Sequence, residues 1–381
     1  MITRLYANNF RCLVAFEAAF DSFGVLCGPN GAGKSSVFDA IALLRNLGTG
    51  DGLLGGSGEM DVPRLEFTRW TEGTGKESRI QEFELSLGVD GHAFEYVIHL
   101  EQTADFEKPR VIHEKATCDG KALFERDLDR QKLRAEVRFF KADDSQTGFP
   151  LDWRQSALAA IQPRGSIEKL SLLQEEVSKL LILRPNPRSM ESESKVEAKH
   201  PDLSISNLTS WYRSLAQEQE WTDALRDALQ DVWPDFRSFK LVDVGLNAKA
   251  LQLRFEEEGG KPILLFFNQL SDGERALIAL YMLRAALDTG AARTVLIDEP
   301  DNFVGMPELQ PWVLSMRGLL DDRHQLIMIS HHPEVLSSSG NANGRYLWRD
   351  NHTSPTRIGP LKVPEGMSPA EAIARGWIGA K

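Results

Sequence analysis

The chain has 381 residues, of which 42% are hydrophobic and 26% are charged, a mixture typical of a soluble globular protein. This composition excludes a mostly disordered chain, a collagen-like chain and a disulfide scaffold. The net charge of −11 does not favour a broad basic surface for nucleic acid, although it is compatible with a local patch.

Cysteine use and hydropathy indicate a cytoplasmic protein. Cys12, Cys27 and Cys118 form no CxxC pair, which argues against a zinc knuckle and fits a reducing compartment. The N-terminus lacks an apolar signal-peptide core, and the apolar stretch near Ala276–Leu283 is far shorter than the ~20 residues of a membrane span. We therefore expect a cytoplasmic protein without membrane contact.

The first predicted elements are a strand over Ile2–Asn9, an apolar strand over Phe23–Cys27, and a helix over about Gly33–Leu47. In residues 79–140, apolar and polar residues alternate, and the tripeptides VDG and CDG interrupt the alternation. Asp-Gly pairs between alternating segments are strong hairpin signals. This part therefore predicts an antiparallel β layer.

In the middle of the chain, from about 151 to 240, apolar residues recur at helical spacing. The residues of two predicted helical faces are Leu170, Leu173, Val177, Leu180 and Leu181 on one, and Leu208, Trp211, Tyr212 and Leu215 on the other. Between these faces, the polar, proline-bracketed segment 184–202 predicts a mobile loop. No heptad pattern persists over three repeats, so we expect no long coiled coil.

Strands return after about residue 246. Arg293–Asp298 and Gln325–Ser330 are continuous apolar runs that alternate with helices, which indicates a parallel sheet covered on both faces. We predict an α/β fold with a mixed or parallel sheet, an antiparallel β subdomain and an inserted helical lid. The predicted parts are an N-terminal lobe (1–150), the helical insertion (151–245), a C-terminal lobe (246–340), and a tail with a short helix capped at Ser368 (341–381).

The segment Gly28–Ser35, GPNGAGKS, fits the pattern G-x-x-x-x-G-K-[ST] and lies between an apolar strand and a helix, as that pattern requires. In such a loop, backbone N–H groups turn toward phosphate oxygens, and the helix N-terminus adds partial positive charge. We predict that Lys34 binds the β- and γ-phosphates and that the Ser35 hydroxyl binds Mg²⁺. The predicted nucleotide-binding residues of the loop are Gly28, Asn30, Gly31, Gly33, Lys34, Ser35 and Ser36.

Two further motifs carry charge at the ends of predicted elements. The apolar strand Val295–Glu299 ends in two carboxylates: Asp298 can hold Mg²⁺, and Glu299 can polarise an attacking water. Adjacent acids also occur at solvated strand ends, but a phosphate loop in the same chain favours the metal-binding interpretation. Ser271 and Glu274 form S-x-x-E, a helix capping box, and this helix start is also a candidate anion site. Both interpretations of the helix start can hold together.

The order of these motifs resembles that of ABC-type ATPase heads. A phosphate loop is followed by LSDGE, by a strand ending in Asp-Glu, and by an apolar strand ending in histidine. With NNFRC near the N-terminus and SHHPE after the last strand, the chain resembles the RecF/SMC/OLD-like group of P-loop ATP-binding proteins. The resemblance covers about residues 1–140 and 240–335, and the middle only loosely.

The resemblance implies a signature motif. Ser271, Gly273 and Glu274 would contact the γ-phosphate held by the phosphate loop of a second subunit. Arg11, within NNFRC, would approach the nucleotide. The signature has Asp272 where ABC transporters have glycine, a change common in the soluble group.

The resemblance also implies the catalytic roles. Asp298 and Glu299 would be the Walker B aspartate and the catalytic carboxylate, and His331 would be the switch histidine near the γ-phosphate. A hydrogen-bonded histidine at a strand end is the alternative for His331. The predicted catalytic residues are thus Glu299, His331 and Lys34, and the predicted metal ligands are Ser35 and Asp298.

Three features of the family have no clear counterpart. The segment after Glu299 reads PDNFVG, which departs from the family pattern near Asp301 and Asn302. Gln81 is a weak candidate for the lid glutamine that senses Mg²⁺. Too few residues follow His331 for the Toprim domain of OLD-type nucleases, so we expect no nuclease in this chain.

These features predict an ATPase that converts ATP and water to ADP and phosphate with Mg²⁺, and that dimerises around ATP. One hypothesis is that it drives or gates a DNA-related process, in repair or anti-phage defence, together with a partner effector. The alternative is an ATP-state sensor that holds a partner toxin or nuclease without contacting DNA. The run Glu125–Lys141, with six cations and four acids, fits either a DNA patch or a solvated face of mixed charge.

Overall fold

Three β-sheets organise the part of the chain that the structure, a computed structural model, describes. It describes residues 1–58, 60–68, 79–103, 106–129, 131, 134–140, 146–162, 168–256, 259–333, 335–337, 343–364 and 366–375. In those ranges we find no helix that combines the length and the apolar character needed to cross a membrane.

The strands are numbered in chain order. They are β1 (Ile2–Asn8), β2 (Phe16–Ala19), β3 (Phe23–Cys27), β4 (Ile80–Val89), β5 (His92–Thr103), β6 (Phe106–Cys118), β7 (Lys121–Asp129), β8 (Arg134–Phe140), β9 (Gln146–Leu151), β10 (Leu180–Leu183), β11 (Glu193–Ser194), β12 (Phe236–Gly245), β13 (Ala248–Phe255), β14 (Ile263–Phe266), β15 (Thr294–Asp298), β16 (Gln325–Ile329), β17 (Gly344–Trp348) and β18 (Arg357–Pro360). The helices are α1 (Lys34–Thr49), α2 (Ala157–Ala160), α3 (Glu168–Ser178), α4 (Leu208–Leu215), α5 (Gln219–Gln230), α6 (Asp272–Asp288), α7 (Met306–Gly318) and α8 (Pro369–Ala374). Short 3-10 helices cover Pro187–Ser189 and Phe267–Gln269.

The central sheet has the strand order β10-β15-β16-β3-β17-β18, in which β18 alone runs antiparallel to its neighbour. Alternate residues of β15 enter two different cores: Leu296 packs in the core that contains α1, and Val295 and Ile297 pack in the core that contains α6. Helices thus cover both faces of this sheet. The predicted α/β fold with a covered parallel sheet is confirmed, and the continuous apolar runs are its physical cause.

The second sheet is antiparallel and has the order β2-β1-β4-β5-β6-β7-β8-β9. The hairpins that join β4 to β5 and β6 to β7 turn at Asp90-Gly91 and Asp119-Gly120, and all four of these residues have positive φ. Two successive positive φ values define the turn that best matches strand twist, which is why Asp-Gly recurs there. The buried face of this sheet shares a core with helix α1 and with one face of the central sheet, so α1 lies between the two sheets.

The middle of the chain departs from the helical prediction. Helix α3 ends at Ser178, and Leu180 and Leu181 belong to strand β10, which pairs in parallel with β15. The helical prediction for Leu180 and Leu181 is wrong, because their four-residue apolar run pairs as a buried strand with the central sheet. The segment 184–202 is also ordered: it contains the Pro187–Ser189 3-10 helix and strand β11, and Met190 is buried.

The remaining elements flank the central sheet. Strands β11, β13 and β12 form the third sheet, with β14 paired to β13, and β14 leads through the Phe267–Gln269 turn to helix α6. The segment expected to be a tail adds β17 and β18 to the central sheet. The cap predicted for its short helix is present, because Ser368 Oγ accepts a hydrogen bond from Glu371 N at 3.2 Å. Part of the Glu125–Lys141 run lies outside the described residues.

Candidate functional site

The glycine loop between β3 and α1 has backbone conformations that require glycine. Gly28, Gly31 and Gly33 have φ values of 142°, 77° and 99°. A Cβ atom on Gly28 would lie 2.0 Å from the carbonyl oxygen of Leu347 in β17, and one on Gly33 would lie 2.3 Å from Thr356 Oγ1. The loop is therefore both left-handed and tightly enclosed, so that its backbone is fixed in place.

Lys34, the first residue of α1, folds back over this loop. Its Nζ donates hydrogen bonds to the carbonyl oxygens of Gly28 at 2.9 Å and Pro29 at 3.2 Å. The residue is only 7% exposed. Burial lowers the pKa of the Lys34 ammonium below its usual value, and the nearby carboxylates of Glu299 and Asp298 act in the opposite direction. A cation is thus held at the centre of the loop.

Ser35 and Asp298 meet although they are far apart in sequence. Asp298 ends strand β15, and its Oδ2 accepts a hydrogen bond from Ser35 Oγ at 2.9 Å. A hydroxyl and a carboxylate oxygen side by side form the kind of oxygen donor set that Mg²⁺ prefers, and the carboxylate is buried at the edge of the loop. These two residues therefore fit a magnesium ion. The Asp298 oxygen also contacts Arg184, whose Nε lies 3.0 Å away.

Glu299 and His331 face each other across the ends of β15 and β16. Glu299 Oε1 lies 4.0 Å from His331 Nε2, and both side chains are about two-fifths exposed, at 40% and 41%. Glu299 has φ of 53°, and its side chain accepts a hydrogen bond from Asn302 Nδ2 at 2.8 Å. Burial and the charge of Lys34 lower the pKa of His331, which favours the neutral imidazole. A left-handed non-glycine residue is a strained conformation of the kind found at functional sites.

Arg11 lies in the segment between β1 and β2 and also has positive φ, at 50°. Its guanidinium forms ion pairs with Asp39 on helix α1 and with Glu66. Its backbone N–H donates to the carbonyl oxygen of Glu66 at 2.9 Å. Arg11 is thus held against the helix that follows the phosphate loop.

A cavity of about 830 Å³ opens beside the loop, within the size range of small-molecule sites. Seven of the predicted site residues lie in the segment Gly28–Ser36, and six of these seven line this space. The predicted residues that line it are Arg11, Asn30, Gly31, Gly33, Lys34, Ser35, Ser36 and Glu299. Gly28, Asp298 and His331 are not among its described lining residues; Asp298 lies behind Ser35.

Several lining residues were not predicted from the sequence. They are Cys12, Leu65, Glu66, Phe67, Arg349 and His352. Arg349 follows β17, and its Nη1 donates a hydrogen bond to the carbonyl oxygen of Gly31 at 3.2 Å. Thr356 also stabilises the loop, because its Oγ1 donates a hydrogen bond to the carbonyl oxygen of Ala32 at 2.9 Å. Single charged or hydroxyl residues in a C-terminal segment form no recognisable motif, so these residues could not be identified from the sequence.

The signature segment lies at the start of helix α6. Ser271 caps this helix: its Oγ accepts from Glu274 N at 3.3 Å, and Glu274 Oε2 accepts from Ser271 N at 2.8 Å. The predicted capping box is therefore present. Ser271, Gly273 and Glu274 are not among the described residues that line the cavity of their own chain.

Gln81 and Asp301 lie at positions where the sequence departs from the family pattern or matches it only weakly. Gln81 is fully buried, and its Nε2 donates to the carbonyl oxygens of Asn9 at 3.1 Å and Glu66 at 2.9 Å. Gln81 thus supports the cavity wall from inside the antiparallel sheet. Burial raises the pKa of Asp301, just after Glu299.

A strand, a glycine loop and a helix, with acidic strand ends beside them in a parallel sheet, define an ABC-type P-loop ATPase head. The chain belongs to the family described as "AAA domain, putative AbiEii toxin, Type IV TA system", whose family model matches residues 23–337. The resemblance noted in the sequence is thereby confirmed at the level of the family. This is a family of ATPases, which in general use ATP with Mg²⁺.

Solved structures of Smc heads share this fold. The chain is 16% identical to the SmcHead bound to the C-winged helix domain of ScpA, with 96% of this chain and 99% of that chain covered and a TM-score of 0.53. It is 15% identical to the Smc head domain with an extended coiled coil bound to the C-terminal domain of ScpA, derived from Pyrococcus furiosus, with 98% and 99% covered and a TM-score of 0.51. At these identities the likeness concerns the fold alone. No curated protein sequence matches the chain.

Proposed function

We propose that this chain binds and hydrolyses ATP with Mg²⁺ and dimerises around the nucleotide. One observation carries the proposal. Ser35 Oγ and Asp298 Oδ2 lie 2.9 Å apart beside the buried Lys34, and Lys34, Ser35 and Glu299 all line one cavity. A phosphate-binding cation, a metal-binding pair and a carboxylate able to accept a proton thus converge on one space.

Each group has a role in the proposed reaction. The N–H groups of the glycine loop and the Lys34 ammonium bind the phosphates, while Ser35 and Asp298 hold Mg²⁺. Mg²⁺, when bound, neutralises charge on the phosphate oxygens. Glu299 orients the attacking water and accepts its proton. The lowered pKa of His331 favours the neutral imidazole, whose one ring N–H can donate to the γ-phosphate.

The proposed dimer follows from the place of the signature. Ser271, at the N-terminus of α6, lies in an exposed capping box. A second copy of the chain would present its own Ser271 and Gly273 to the γ-phosphate held by the first. An interface made largely of ligand and charge forms only when ATP is bound.

The basic test combines turnover with mass. Phosphate release from ATP should require Mg²⁺, and light scattering should show a dimer with ATP and Mg²⁺ and a monomer without nucleotide. A protein that retains no ATP in either condition would contradict the proposal.

Ser271 allows capping and dimerisation to be separated. Ser271→Ala should lower the free energy of unfolding by about 1 kcal/mol because it removes the N-cap, whereas Ser271→Asn should retain most of that stability because asparagine is an equally good cap. Both variants should lose ATP-dependent dimerisation, since both lack the hydroxyl. Thermal unfolding and light scattering measure the two effects. If Ser271→Asn dimerises like the wild type, the role of Ser271 is limited to capping helix α6.

We propose that this ATPase acts with a partner effector in defence. The family description names a toxin–antitoxin system, and the two related Smc heads were solved with a bound ScpA domain. Both facts support a partner protein for this chain. Isolation of the protein from its host, followed by mass spectrometry of what co-purifies with ATP, tests this part.

One observation favours the sensor alternative over direct action on DNA. In the described part of the Glu125–Lys141 run, Arg126 is fully buried beside Glu114, and Arg138 pairs with Asp127 at 3.1 Å and Glu125 at 3.8 Å. Arginines neutralised in this way offer little charge to a phosphate backbone. DNA binding at low salt in the presence of ATP, weakened by added salt, would restore the DNA hypothesis.

A further inference from the structure

The carboxylate of Asp298, the proposed metal ligand, lies near the Lys34 ammonium and also contacts the guanidinium of Arg184. Arg184 follows β10, the strand next to β15, and its Nε lies 3.0 Å from Asp298 Oδ2. The same oxygen accepts the hydrogen bond from Ser35 at 2.9 Å. The side chain of Asp298 is only 6% exposed, so this carboxylate depends on the protein for its partners.

A second carboxylate lies within reach of the same arginine. Asp39 is on helix α1, one turn after Ser35, and its Oδ1 lies 3.8 Å from Arg184 Nη2. Asp39 in turn pairs with Arg11, which lines the cavity. Arg184 is 46% exposed, so its side chain has room to shift between the two acids.

We propose that Arg184 is a positioning residue that holds Asp298 when no metal is bound, and that Arg184 and Mg²⁺ exclude each other from Asp298 Oδ2. The inference rests on the proposed function. Two cations on one carboxylate oxygen repel strongly, because the charges would lie within a few ångströms in a partly buried site. When Mg²⁺ binds, the guanidinium moves to Asp39.

A short segment of chain connects Arg184 with the start of helix α6, which carries the signature. The backbone N–H of Arg184 donates to the carbonyl oxygen of Leu203 at 2.6 Å, and two prolines, Pro185 and Pro187, stiffen the chain that follows. Arg188, at the other end of this segment, pairs with Asp272, the first residue of α6, at 3.0 Å. The segment 184–188 therefore connects the metal site with the helix whose N-terminus carries Ser271.

The test measures how much Mg²⁺ is needed to tighten the binding of a fluorescent ADP analogue. In Arg184→Gln, the Mg²⁺ concentration at half-effect should fall about 3- to 10-fold, because the competing charge is gone. Arg184→Lys keeps the charge and should stay within about twofold of the wild type. Arg226→Ala is the matched control, since Arg226 is 43% exposed and pairs with Asp223 on the surface of α5.

A second measurement does not depend on the strength of nucleotide binding. Hydrogen exchange at the amides of residues 184, 186 and 188–190 should accelerate in the wild type when Mg²⁺ and ADP are added, and should already be fast in Arg184→Gln without them. An unchanged Mg²⁺ requirement in Arg184→Gln would overturn the inference. So would an equal loss of analogue binding with and without Mg²⁺, because Arg184 would then be a phosphate contact. A wild-type protein that binds no analogue would instead contradict the proposed function.

Discussion

Replacement of Lys34 by alanine is expected to abolish retention of ATP, with a loss of affinity of at least about 100-fold. The physical reason is that Lys34 is a buried cation that lines the cavity, and its Nζ donates to the carbonyl oxygens of Gly28 and Pro29 in the phosphate loop. A bound triphosphate would replace these weak neutral acceptors with charged oxygens. Isothermal titration with ATP and Mg²⁺ measures the change.

The control for this variant is Lys179→Ala. Lys179, just after α3, pairs with Glu175 in the last turn of that helix at 2.9 Å, outside the proposed site, so its loss should leave ATP affinity unchanged. Thermal unfolding without nucleotide should be followed for both variants, because removal of Lys34 also leaves loop carbonyls without a donor. Unaltered ATP affinity in a folded Lys34→Ala protein would remove Lys34 from the site.

Glu299→Gln is expected to lower ATP turnover by about 100- to 10,000-fold while ATP binding is preserved. Glutamine has the same shape, and its amide oxygen can still accept from Asn302 Nδ2, which now lies 2.8 Å from the carboxylate. Its side chain, however, cannot accept a proton from water. Because hydrolysis would end the ATP-bound state, this variant should accumulate as a dimer.

Light scattering at saturating ATP and Mg²⁺ measures this outcome, with phosphate release recorded on the same sample. Glu308→Gln, on the exposed first turn of α7, changes charge equally and should behave like the wild type. A Glu299→Gln protein with the mass of one chain under these conditions would count against the dimer, and one with normal turnover would exclude Glu299 as the base.

The parts of the fold and site that the sequence predicts are those encoded locally. The phosphate loop requires glycines at particular positions, and Gly28 and Gly33 are indeed enclosed where a side chain would collide. Between Thr294 and Asp298 the strand β15 is apolar because both of its faces are covered. Such requirements leave a pattern within a few residues, which can be recognised without knowledge of the fold.

The parts that could not be predicted depend on contacts between distant segments. The run LLIL continues the leucine spacing of α3, and only its pairing with β15 makes it a strand. The same pairing places Arg184, which follows β10, beside Asp298 at the end of β15. Arg349 and Thr356 reach the loop from the C-terminal strands, and neither belongs to a motif.

The position of β3 in the central sheet has a consequence for synthesis on the ribosome. Strand β3 carries the phosphate loop, yet its two neighbours are β16 and β17, which are translated much later. Until they emerge, β3 would be an unpaired apolar edge, open to wrong partners. The nascent chain is therefore expected to acquire nucleotide affinity only near the end of translation, and to depend on chaperones that shield this strand in the meantime.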